Sequence, residues 1–173
     1  MENKQKLNDL LEPLQIALNL EKEGKKLFLQ AASETKSSLA KQTFEFLAKE
    51  EDVHIAKIEE FYKSVTDSDG SDIPDIEESN ADEKLENFNQ RLEEIRSEFK
   101  PTMTDIEAYK LALEFENGAE DYYQEKHDET DNKGMKKFYR WLIIEETMHA
   151  RLINSCLKFV EDPSEWFKKR SKQ

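Results

Sequence analysis

Shifted by 95 residues, the sequence falls onto itself: Glu51 lands on Glu146 and His54 on His149. Ala17 and Leu18 land on Ala112 and Leu113, Phe46 and Leu47 on Trp141 and Leu142, and Ile58 on Ile153. Glu21 meets Glu116, and Glu50 meets Glu145. A self-match at one fixed offset marks two copies of a supersecondary unit, and such a unit cannot bury its apolar face alone. The chain must therefore fold so that the copies cover one another. What one copy contributes at a given depth, the other contributes as well.

Each copy reads as a pair of helices. Gly and Pro number only four each, and 38% of the residues are charged, which favours helices with a solvated exterior. Pro13 suits the first turn of a helix whose apolar positions recur at Leu14, Leu18, Phe28 and Ala32 and which fades near "SETKSS". A second helix carries Phe44, Leu47, Ile58, Phe61 and Val65. The stretch "TDSDGSDIPDIEESNADE" reads as a solvated linker. It is not a calcium loop, because Asp72 stands where such a loop needs Gly. Leu85, Phe88, Leu92, Ile95 and Phe99 mark an amphipathic crossover helix, broken at "FKPTMTD". Thr104 and Glu107 form a capping box that opens the next helix, which runs to about "ETDNKG". The following helix is stopped by Pro163, and Ser164 is expected to cap a short final one.

The expected fold is all-α, a four-helix bundle of two antiparallel hairpins joined by one long connection. The hairpins span about 10–65 and about 105–162, with the crossover over about 66–104, all within one domain of residues 1–173. A net charge of −13 opposes nucleic acid and anionic membrane as partners, and only the tail "FKKRSKQ" is basic. One cysteine, Cys156, allows no intrachain disulfide and no Cys-x-x-Cys motif. There is no signal-like leader and no run of about 18 apolar residues, so the expected location is cytoplasmic.

Glu makes up 27 of the 173 residues, so a Glu three positions before a given His arises by chance about one time in six. Position separates the two Glu-x-x-His pairs from chance. Spacings of three and four join Phe44, Leu47, Glu51, His54, Ile58, Phe61 and Val65. They likewise join Tyr139, Leu142, Glu146, His149, Ile153, Cys156 and Val160. Both pairs thus sit on core-facing stripes, while Glu50 and Glu145 fall off them and read as solvated. The other two helices carry Glu21 and Glu116 on stripes that also include Lys25 and Glu120. In an antiparallel hairpin, residues equidistant from the loop face each other. Glu21 and Glu51 share a midpoint at residue 36, inside "TKSS", and Glu116 and Glu146 share one at 131, inside "TDNK". Four Glu and two His therefore converge at one depth. Oxygen and imidazole donors of this kind suit two metal ions, iron or manganese, and zinc could take the same donors.

The segments "LEKEGKKLF" with "EEDVH", and "FENGAEDYY" with "EETMH", make the chain resemble the rubrerythrin branch of the ferritin-like superfamily over nearly its whole length. The resemblance implies a diiron site with metal ligands Glu21, Glu51, His54, Glu116, Glu146 and His149. It implies an oxidoreductase that reduces hydrogen peroxide or dioxygen. Ferroxidation with iron handling, or a helical module with a structural metal, are the alternatives. Rubrerythrins usually carry a rubredoxin-like centre of four cysteines. With Cys156 alone, electrons are expected from an external donor such as a rubredoxin-like protein. A homodimer is the expected assembly. Rubrerythrins also place a further Glu three residues after the ligand that corresponds to Glu116, where this chain has Ala119. Glu120 then reads either as a displaced seventh ligand or as the buried partner of Lys25, its counterpart in the repeat. Tyr123 lies where the family tends to place a tyrosine near the metals, and is the candidate catalytic residue. His127 reads as packing near a loop, and Cys156 as a small buried apolar residue.

Overall fold

The computed structural model describes residues 2–71, 73–76, 79–94 and 103–170. Six helices appear among them: α1 (Glu2–Glu34), α2 (Ser38–Asp67), α3 (Ala81–Glu94), α4 (Met103–Glu129), α5 (Lys133–Glu161) and α6 (Pro163–Arg170). α1 packs along α2 and α4 along α5, and the two hairpins meet through α1 against α4 and α2 against α5. This is the all-α, ferritin-like bundle expected from the repeat. The crossover helix α3 and the terminal α6 both lie on α5.

The two hairpin turns occupy residues 35–37 and 130–132, again 95 apart. Equivalent residues close them. Ser37 accepts a hydrogen bond from the Ala40 N–H at 3.2 Å. Asn132 accepts from the Gly134 and Met135 N–H groups at 2.9 and 3.1 Å. Both are side chains favoured where a helix begins with unbonded N–H groups.

Two apolar clusters fill the bundle, one toward each end. The cluster beside the first turn holds Phe28, Phe44, Tyr109, Ile153, Cys156 and Phe159. The other holds Leu14, Ile58, Phe61, Tyr123, Phe138 and Leu142. Burying each such large side chain contributes about 1.5–3 kcal/mol. Glu21, Glu51, His54, Glu116, Glu146 and His149 form a buried polar layer between the clusters.

Some boundaries differ from the sequence reading. α1 begins at Glu2, so Pro13 lies inside the helix and not at its start. The added turns carry Leu7, Leu10 and Leu11 onto the second cluster, and that burial outweighs the one backbone hydrogen bond lost at the proline. The Tyr122 hydroxyl donates to the Pro13 carbonyl at 3.1 Å. α4 already includes Thr104 in its first turn, so Thr104 is not its cap. α6 is capped by Asp162, which accepts from the Glu165 N–H at 3.0 Å. Pro163 then serves as the first helical residue, where its missing N–H costs nothing. Of the expected crossover helix, Ile95 and Phe99 lie outside the described residues, as does Asp72 of the linker.

The linker is not a bare tether. Ile73 and Ile76 pack against the second apolar cluster. Ile73 sits so close to Gly134 that a Cβ added there would lie 2.2 Å from its Cγ2 and 2.6 Å from its Cβ. Gly134→Ala is therefore expected to destabilise the fold by about 1–3 kcal/mol through overpacking. Because the two residues touch, Ile73→Ala in the same chain should restore part of that loss, since it removes the Cγ2 contact but keeps the Cβ at 2.6 Å. Urea unfolding of the single and double variants measures the coupling.

Candidate metal centre

The hairpin geometry brings one Glu from α1, a Glu and a His from α2, one Glu from α4, and a Glu and a His from α5 to a single level. His54 Nδ1 lies 2.8 Å from Glu21 Oε2 and 3.1 Å from Glu146 Oε1. His149 Nδ1 lies 3.3 Å from Glu116 Oε1 and 3.3 Å from Glu146 Oε2. Glu51 completes the pattern, with Oε1 3.2 Å from His149 Nδ1 and Oε2 3.8 Å from His54 Nδ1. Glu51 and Glu146 thus each turn one oxygen toward each histidine, while Glu21 serves the His54 side alone and Glu116 the His149 side alone. The imidazole rings stack 5.0 Å apart at 16°. One donor atom from each of Glu51, His54, Glu146 and His149 falls within 4.8 Å of all the others.

A family model described as Rubrerythrin matches residues 12–157. The chain belongs to the rubrerythrin family. No curated protein and no solved structure matches it significantly. Membership suggests a diiron-carboxylate protein, and the buried polar atoms of this rubrerythrin-family chain test that independently. Glu51 Oε1, both oxygens of Glu116, both oxygens of Glu146, His54 Nε2 and both nitrogens of His149 are buried without a hydrogen-bond partner. Buried carboxylates are costly unless they are paired or bind a metal. Four carboxylates also balance the charge of two divalent ions, and mixed oxygen and imidazole donors suit iron. The residues present therefore fit a two-metal centre.

The electrostatics follow from the crowding. Burial, reinforced by the Glu21 and Glu146 carboxylates, pushes Glu51 well above the ordinary carboxylate range. Burial and Glu146 push Glu116 up in the same way. Burial alone would lower the two histidines, but the carboxylates around them outweigh it and raise both. In this rubrerythrin-family site, protons and metal cations answer the same local excess of negative charge.

Tyr123 is fully buried, and its hydroxyl donates to Glu21 Oε1. Burial and the Glu21 carboxylate hold the phenol well above its usual range, so it remains a proton donor. Its repeat counterpart Phe28 has no such group, so the hydroxyl acts on one half of the site only.

Glu145, expected to be solvated, is instead only 1% exposed. It accepts from the Ser79 hydroxyl at 2.5 Å and from Lys84 at 3.2 Å, and its Oε2 lies 3.6 Å from His54 Nε2. Burial works against its ionised form, yet His54, Ser79 and Lys84 hold it down at about 2. Nothing in the helical period of α5 reveals this, because the covering groups come from the crossover. Its counterpart Glu50 is likewise drawn to Lys84.

Of the two readings of Glu120, the pair with Lys25 is not formed. Lys25 is bonded to Asp52 at 2.6 Å, and Glu120 is half-buried and not one of the four residues whose donor atoms converge. The inward positions belong to their smaller neighbours Gly24 and Ala119. At 24 there is little room for more than a hydrogen, since an added Cβ would approach Phe115 Cε1 to 2.8 Å and Glu51 Oε2 to 3.5 Å. His127 lies away from the centre, paired with Asp128 at 2.9 Å.

Proposed function

We propose that the protein is a diiron-carboxylate oxidoreductase of the rubrerythrin type that reduces hydrogen peroxide, with dioxygen as the slower oxidant. Glu21, Glu51, His54, Glu116, Glu146 and His149 are its metal ligands. The observation that carries the reading is the division of the Glu51 and Glu146 oxygens between the two histidines. That is the arrangement needed for two carboxylates to be shared by two ions.

These residues would hold two ferrous ions, which would supply the two electrons that, with two protons, take hydrogen peroxide to two water molecules. The chain's own part is to orient and to handle protons. Glu51 and Glu146 fix the separation of the two positions, and Glu21 and Glu116 close them from outside. Tyr123 keeps its phenol proton in a hydrogen bond to Glu21, at the edge of the site where oxygen atoms must be protonated as they leave. The preference for peroxide rests on the resemblance to rubrerythrins.

Return of the electrons needs a donor distinct from these residues. The one cysteine, Cys156, is fully buried near Thr43, and burial lifts its thiol to about 12. A redox protein such as a rubredoxin-like donor fits that need.

The test is anaerobic ferrous reconstitution with elemental analysis, followed by stopped-flow mixing with each oxidant. The diferrous protein is expected to react faster with peroxide than with dioxygen, and to stop after one turnover unless reductant is added. Equal or reversed rates would replace this reading with an oxidase or ferroxidase. Metal without reaction would leave a structural site.

A further inference from the structure

The two halves of the centre are related by the repeat, yet the crossover treats them differently. It runs past one hairpin only once and has no second copy. Lys84 of α3 reaches Glu145 at 3.2 Å and also bonds Glu50, while Ser79 just ahead of α3 donates to Glu145 at 2.5 Å. The Lys84 side chain is only 21% exposed. Glu145 Oε2, held on this side by Lys84, faces the outer nitrogen of His54 at 3.6 Å. That is a charge contact, longer than a hydrogen bond. Glu50 is the repeat equivalent of Glu145 and by symmetry belongs beside His149. It is turned to Lys84 instead. Neither outer nitrogen has a hydrogen-bond partner, but among the described residues only that of His54 faces a carboxylate, Glu145.

We propose that Lys84 and Ser79 hold Glu145 as a positioning residue for His54, so that the crossover braces one metal position and leaves the other unbraced. This rests on the metal-site reading above. A carboxylate facing the outer nitrogen electrostatically favours the tautomer with its N–H on that side and its lone pair on Nδ1, the nitrogen that faces Glu21 and Glu146. It also makes the ring a stronger donor. Removing such a partner typically weakens metal affinity about 10–100-fold. The His54 position is therefore the tighter of the two and fills first. Glu145 touches neither substrate nor the reacting atoms, and acts only through the ring it orients.

The test is titration of the metal-free protein with cobalt(II) alone, followed by calorimetry and by the ligand-field absorption of the bound ion. The wild-type protein is expected to fill in two unequal steps. Glu145→Gln should weaken the tighter step about 10–100-fold and change its absorption band, leaving the other step in place. Lys84→Met should act in the same direction, and Lys84→Arg should restore the wild-type isotherm, which a loss of general stability would not do. In a His149→Ala chain Glu145→Gln should still weaken the remaining site, whereas in a His54→Ala chain it should have no effect. If a histidine variant fails to fold, as judged by circular dichroism, the two-step isotherm of Glu145→Gln decides alone. Two metals bound with both steps weakened equally, or neither weakened, would overturn this inference while the metal-site reading stands. No cobalt bound by the wild-type protein would overturn both.

Discussion

Glu51→Ala and Glu146→Ala proteins will each lose both metal positions, whereas Glu21→Ala and Glu116→Ala proteins will each lose one. The difference follows from how the carboxylate oxygens are shared. Glu146 approaches His54 with Oε1 at 3.1 Å and His149 with Oε2 at 3.3 Å, and Glu51 also faces both rings. Truncating either removes a donor from two places at once. Glu21 touches the His54 side only, and Glu116 the His149 side only. His54→Ala and His149→Ala should resemble the second pair and retain one ion each. Elemental analysis after ferrous or cobalt loading and desalting provides the readout. Equal losses in all six variants would mean that the two positions are not separately built, and retention of both ions in the two histidine variants would remove the ligand assignment.

Metal loading will raise the melting temperature by roughly 5–10 °C for each position filled. At a free metal concentration 100 times the dissociation constant, one site stabilises the folded state by about 2.7 kcal/mol. For a chain of this size each kcal/mol is worth about 2–4 °C. The metal-free fold carries the opposing cost, since both oxygens of Glu116 and of Glu146 are buried without hydrogen bonds. Glu116→Met, close in shape and without the polar atoms, should therefore make the metal-free protein more stable by about 1–3 kcal/mol while removing part of its response to metal. Calorimetric scans with and without chelator test both signs. A variant that destabilised the metal-free protein would show that Glu116 holds the bundle together without metal.

Much of this arrangement is legible in the sequence because it is local. The turns are centred on residues 36 and 131, where the midpoints of Glu21 with Glu51 and of Glu116 with Glu146 place them, so the level of the six side chains follows from counting along two hairpins. Helical period alone could not separate Lys25 from Gly24, or Glu120 from Ala119. Spacings of three and of four both lead on from Glu21 to Phe28 and from Glu116 to Tyr123. Room between the helices decides, and it favours the small residue in each pair. Glu145 was hidden for a different reason. It faces away from its partner helix, and only the docking of α3, some 60 residues earlier in the chain, takes it out of water. Pro13 shows the same dependence on distant packing, since a helix start suggested by local preference is overridden by leucines that reach the second cluster.

The indole of Trp141 stands edge-on to the His54 ring, with centroids 5.4 Å apart at 78°. Its repeat counterpart is Phe46, and the only other tryptophan, Trp166, is tied to Ser155 on the outer side of α5 at 3.1 Å. The chain thus contains one fluorophore beside the centre and one apart from it. Iron or cobalt bound next to Trp141 offers its excited state a route to relax without emitting light, so occupancy can be followed by the dimming of intrinsic fluorescence, with Trp166 as the steady background.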